Sequence, residues 1–146
     1  MGRKNNNALF FTCSLIEYIG RSTKRKRGKV TDFLGKERIE RIYEYADVFH
    51  CDPIEKTAAE FIEEAHITEG TFDNVKDCRY TVLGYWDIGE VYERLIEDVY
   101  EEKNIVNGIW EVYHSWIDAQ ISDYNTDFYY QPRDYIAECY KEGVIL

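Results

Sequence analysis

Proline is nearly absent from this chain of 146 residues, which has two, and methionine and histidine are scarce at one and three. So little proline leaves no room for a proline-rich linker. No apolar run approaches the roughly 20 residues that a membrane-crossing helix requires. No Cys-x-x-Cys pair occurs, and Cys13, Cys51, Cys78 and Cys139 are spread singly, as small buried hydrophobes in a reducing cytosol would be. The nucleophile elbow, the Walker phosphate loop and the dinucleotide glycine pattern are all missing. What the chain does have is a composition that is 45% hydrophobic and 16% aromatic, which excludes intrinsic disorder. With no internal repeat and no linker, residues 1–146 are expected to form a single helical domain acting in the cytoplasm.

Charge divides the chain. Residues 1–45 carry 11 basic and 5 acidic side chains, a net of +6, whereas residues 46–146 carry 7 and 23, a net of −16. Such a split marks a basic contact surface on an anionic body. The opening Met1-Gly2-Arg3-Lys4 superficially resembles a signal peptide. Asn5, Asn6 and Asn7 precede the apolar stretch, however, Glu17 interrupts it, and no small-residue cleavage site follows. Asn6 also stands where a myristoylation motif wants Ser or Thr.

Apolar residues recur at helical spacing almost throughout, and strict alternation is nearly absent. The pattern predicts an all-α bundle of six or seven helices. The first runs from about Asn7 to Ile19 and is closed by Gly20. The basic stretch Arg21 to Lys29 reads as a loop, followed by a short turn ending at Gly35 and a helix from Lys36 to about Phe49. Asp52, Pro53 and Glu55 form the signature of a capped start for an amphipathic helix carrying Ile54, Ala58, Phe61, Ile62 and Ala65. Gly70, Asp73, Asn74 and Gly84 punctuate an irregular segment near 68–85, within which Arg79 to Leu83 suits a short extended strand. Asp87 opens a further helix, Asn104 caps another reaching towards Tyr124, and Pro132 starts the last, which Gly143 ends.

Each histidine has a carboxylate three residues earlier: Asp47 before His50, Glu63 before His66, Glu111 before His114. Glu-x-x-His pairs from two helices, with glutamates such as Glu17 and Glu93 from two others, are the ligand set of a di-metal carboxylate bundle. At about 100° per residue, though, Glu111 points roughly 160° away from the core residue Tyr113, and Glu63 points as far from Phe61. The pairs are therefore expected to face outward; no metal, no cofactor and no catalytic residue is assigned. Glu97, Asp98, Glu101 and Glu102 suit a solvated helix face.

Two groups remain as candidate contacts. The run Arg21, Lys24, Arg25, Lys26, Arg27 and Lys29 suits a polyanion or an acidic partner, although no aromatic interleaves it for base stacking. The irregular segments carry Tyr80, Tyr85, Trp86, Phe128, Tyr129 and Tyr130, the ring types that anchor protein interfaces. The leading expectation is thus a non-enzymatic protein–protein interaction module. Nucleic-acid contact through residues 21–29 is the alternative, and a di-metal enzyme the second. Pairing of two copies into a homo-oligomer stays open, as does a ligand pocket lined by residues 68–85.

Residues 8–64, from Ala8-Leu-Phe-Phe-Thr-Cys-Ser-Leu-Ile-Glu-Tyr through Phe61-Ile-Glu-Glu, resemble small uncharacterised helical domains of Gram-positive bacteria. One such domain of unknown function is encoded beside predicted ADP-ribosyltransferase-like toxins. The resemblance lies in a short first helix, a glycine-broken second and a long helix ending in Tyr-x-x-Ala-Asp-x-x-His, here Tyr43 to His50. It implies a partner or antitoxin role and supplies no site residue. The basic run and the C-terminal half depart from the pattern.

Overall fold

The structure, a computed structural model, describes residues 6–146; the signal-like Met1–Lys4 lies outside them. Among the described residues eight α-helices follow one another in the order α1 (Asn7–Thr23), α2 (Arg27–Glu44), α3 (Ala46–Phe49), α4 (Ile54–Glu64), α5 (Tyr85–Val99), α6 (Ile105–Tyr113), α7 (Trp116–Ile121) and α8 (Arg133–Glu142). Short 3-10 turns at Glu102–Asn104 and Phe128–Tyr130 complete the regular structure. No strand forms among the described residues, so Arg79 to Leu83 is irregular rather than extended into a sheet.

Helix α1 lies at the centre. It packs most extensively on α5 and also meets α2, α3 and α4, while α2 leans on α6 and α5 carries α8. The composition of α1 explains its position. Leu9, Phe11, Cys13, Leu15, Ile16 and Ile19 bury apolar side chains around most of its circumference. Two of its buried hydroxyls are satisfied within the helix, Thr12 donating to the Ala8 carbonyl and Thr23 to the Ile19 carbonyl, each at 2.7 Å, while the buried Ser14 hydroxyl has no hydrogen-bond partner. Where α1 crosses α5, Ser14 faces Gly89. A Cβ on Gly89 would stand 2.8 Å from the Ser14 backbone, so only glycine allows this approach.

Several predicted boundaries shift. Gly20 does not end α1; the helix continues to Thr23 and closes on Lys24 in the left-handed region. Residues 21–29 are therefore no loop, but the end of α1, a three-residue turn and the start of α2. Gly35, at φ 77° and ψ 159°, is not helical, so α2 consists of two helical segments meeting at a kink there, as the expected turn ending at Gly35 and helix from Lys36 require. The expected helix to Phe49 is split at Tyr45, and the helix from Asn104 is split at Ser115, whose side chain caps α7. Asp52 makes no cap, since Pro53 flanks α4 directly and Asp52 instead pairs with Lys56 at 3.4 Å. Asp87 sits in the first turn of α5 and accepts from the Gly84 N–H at 3.2 Å.

The irregular segment is strapped to the α1–α2 turn. The Gly70 and Phe72 N–H groups donate to the Thr23 and Lys24 carbonyls at 2.8 and 2.9 Å, satisfying carbonyls that the end of α1 leaves open.

Candidate functional site

The polar centre of the molecule grows from one glycine. Gly20 has no side chain, and the space a Cβ would occupy is filled by Arg27, whose Cδ lies 2.4 Å from that position. Through this notch Arg27 reaches Glu17. Its Nε donates to Glu17 Oε1 and its Nη2 to Oε2, both at 2.9 Å, a two-pronged pair with both side chains fully buried. Arg21 adds Nε–H to the same carboxylate at 2.8 Å, and the Tyr124 hydroxyl donates to it as well. The remaining guanidinium capacity of Arg27 goes to the Arg25 carbonyl at 2.9 Å and to Asn74 Oδ1 at 3.1 Å. Burial by itself would push the Glu17 carboxyl up, but Arg27, Arg21 and the Tyr124 hydroxyl overrule it and hold it down at about 2. Glu17 is thus a committed anion with no role as a proton acceptor.

A second polar group adjoins the first. Asn74 donates to the Ser122 carbonyl at 2.9 Å, and the Tyr92 hydroxyl donates to Asp118 Oδ1 at 2.5 Å. The Gly28 N–H, in the first turn of α2, also bonds the Asp118 carboxylate. Burial pushes this carboxyl up to about 6 against those bonds. Asp118, Asn74, Ser122 and Tyr124 together line an open cleft of about 380 Å3 with Phe72, Lys26, Asp77, Asp123 and Asn125.

The basic residues singled out in the sequence divide accordingly. Arg27 is buried and Arg21 is bound to Glu17, with a further bond to the Leu83 carbonyl at 2.8 Å. Arg25 binds Thr68 through its carbonyl at 2.8 Å and its hydroxyl at 2.6 Å. Lys24 lies 4.0 Å from Glu69, Lys26 lies over the Phe72 ring, and Lys29 is exposed. The run is therefore no continuous cationic strip, and Arg27 is out of reach of any polyanion.

The aromatic candidates separate into three environments. Tyr85 and Trp86 join Tyr18 and Phe10 in a half-buried ring cluster, where Trp86 also stacks on His50 at 5.8 Å. Phe128 and Tyr129 belong to the core. Tyr80 and Tyr130 alone of the six are exposed, each at 65%. Tyr130 borders a cleft of about 250 Å3 between α5 and α8, together with Leu83, Val91, Arg94 and Arg133. Leu83, 38% exposed, extends the apolar rim.

The histidines do not gather. His50 is sandwiched between Phe11 and Trp86, His66 sits past the end of α4 at φ 55°, and His114 binds Asp32 at 2.7 Å. Among the described residues no three His, Cys, Asp or Glu side chains come together as a metal-binding group. Sequence reasoning missed the Glu17–Arg27–Tyr124 network altogether. Its signal was present as a lone glutamate in an apolar helix followed three residues later by glycine.

No family model matches this chain, and neither the curated proteins nor the solved structures include a match.

Proposed function

We propose that this chain is a protein-binding module without catalytic activity of its own, a regulatory or antitoxin-like partner working in the cytoplasm. The observation that carries the reading is the exposed Tyr130 beside an apolar-rimmed cleft, with Leu83 and the exposed Tyr80 on the neighbouring segment. A rigid ring that is wet at its hydroxyl and dry at its face is the side chain that anchors interfaces. The cations around the cleft are already matched: Arg94 faces Glu90 at 3.5 Å, and Arg133 pairs with Asp98 at 2.8 Å and Glu97 at 3.0 Å. The acidic surplus of residues 46–146 then favours a basic partner that inserts an apolar side chain beside Tyr130. The antitoxin-like form of the reading leans on the resemblance of residues 8–64 and on nothing further.

The test is to isolate the tagged protein from its own host at low salt and record a native mass spectrum. A second polypeptide in fixed ratio is expected. Tyr130→Ala should weaken that complex roughly 30-fold, as loss of a hot-spot ring does, while changing stability by about 0.5 kcal/mol or less, as an exposed substitution does. Tyr45→Ala, at another exposed tyrosine, should leave binding intact. A bare monomer or homodimer removes the reading, and full binding by Tyr130→Ala removes the site.

A further inference from the structure

The cleft at the α1–α2 turn joins a buried polar floor, held in place by Tyr92, Gly28 and Arg27, to an aromatic wall. At about 380 Å3 it falls within the range of small-molecule sites. Its floor is polar and buried, formed by Asp118, Asn74 and Ser122. Its walls are the Phe72 and Tyr124 rings, and Asp77 and Asp123 stand at its mouth. Three aspartates thus line the space; the cations beside it are the Lys26 ammonium and the buried Arg27 guanidinium, which lies 5.9 Å from the centre of the Phe72 ring and is already paired with Glu17. That ammonium lies 5.8 Å from the centre of the Phe72 ring, so the aromatic wall already serves as a seat for a cation. Lys26 is exposed and can swing clear.

An anion would meet three like charges in this cleft. A metal ion would need ligands that converge, and no such group of three exists among the described residues. An organic monocation needs no converging ligand set: a carboxylate takes its head and an aromatic face its hydrocarbon. We propose that the cleft binds a small organic monocation with a hydrocarbon tail, a primary amine or guanidine, its charged head at Asp118 and Asp123 and its tail along Phe72.

Titration of the 15N-labelled protein with phenethylamine tests this, with phenethyl alcohol and phenylacetate as the neutral and anionic comparators. Saturable shifts at the amides of Asn74, Ser122 and Asn125 are expected with the amine. The alcohol should bind at least tenfold more weakly, and phenylacetate not at all. Asp123→Asn, at an exposed position, should weaken the amine severalfold with the spectrum otherwise unchanged. Lys26→Ala should tighten it by removing the internal competitor. Asp118→Asn is the sharper change but risks unfolding through Tyr92 and Gly28, so Asp123→Asn and Lys26→Ala decide. Absence of saturable shifts in the cleft, equal binding of the alcohol, or binding of phenylacetate in preference to the amine overturns the proposal.

Discussion

At the scale of single residues, Gly20, Glu17 and Arg27 act as one unit. Removing one member of a buried ion pair leaves the other charge uncompensated and costs about 3–5 kcal/mol. Arg27→Met should therefore destabilise the protein by that order, measured by urea unfolding at neutral pH. Arg21 offsets part of the loss, since it also touches Glu17 at 2.8 Å. Glu17→Gln combined with Arg27→Met should cost less than the sum of the two single changes, because neither the Glu17 carboxylate nor the Arg27 guanidinium is left buried alone, and Arg21 keeps its bond to the Leu83 carbonyl. Gly20→Ala should cost about 1–3 kcal/mol by overpacking. The arginine it strikes is fully buried and held by Glu17 and Asn74, so it has nowhere to retreat. The type of each of these residues was legible in the sequence, but their meeting was not. Glycine after an apolar run usually ends a helix, and nothing local distinguishes a terminating glycine from one that admits a side chain arriving from the next helix.

At the scale of elements, the seam between α5 and α8 holds a titrating carboxyl. Arg133, the first residue of α8, grips Asp98 and Glu97 on α5. One turn before Glu97 stands Glu93, buried, with Oε2 lacking any hydrogen-bond partner. Burial, and next a hydrogen bond with Glu97, push the Glu93 carboxyl up to about 8. A carboxyl raised in the folded state lends stability that is complete below its ordinary value of 4.5 and is lost as the pH climbs through about 8. Glu93→Gln keeps a donor and never ionises, so it should abolish the fall in melting temperature between pH 7 and 9. Asp118, raised to about 6, contributes a separate loss at lower pH that this substitution leaves in place. Glu17 runs the opposite way: its contribution is complete above 4.5 and disappears as the pH falls towards about 2. An unchanged alkaline melting curve for Glu93→Gln would show that the seam does not titrate.

Element boundaries show what pattern reading can and cannot supply. The stripe of α4 was readable because Ile54, Ala58 and Phe61 repeat on one face, and all three are buried. The helix opened by Asp87 was equally plain from Ile88, Tyr92, Leu95 and Ile96, although it starts two residues earlier, at Tyr85. The six cations of residues 21–29 misled, since a dense basic run ordinarily stays in water. Here one of them enters the core, another binds its partner carboxylate, and the run becomes a helix end, a tight turn and a helix start. That outcome depends on Glu17, Asn74 and Tyr124, partners lying up to 107 residues apart in the chain.

At the scale of the whole molecule, the all-α architecture follows from the periodicity, whereas the distribution of rings over the surface does not. Six aromatics expected in irregular segments carried the same sequence signal, yet two anchor the core, two open α5 and pack on α1 side chains and His50, and two remain exposed. Chain order cannot sort them, because the sorting is done by contacts between distant segments. The partner-binding prediction accordingly belongs to Tyr130 and Tyr80, while Tyr129→Ala should lower the melting temperature in a circular-dichroism scan by emptying a core position.

The central placement of α1 bears on how the protein is made. Its apolar surface is clad chiefly by α5, which starts at Tyr85, long after Thr23 has left the ribosome. At translation rates of about 5–20 residues per second, α1 waits on the order of 3–12 s for that cover. During that interval Leu9, Phe11, Leu15 and Ile19 are open to whatever binds emerging hydrophobic segments. A nascent chain halted ahead of Tyr85 is thus expected to be a chaperone substrate.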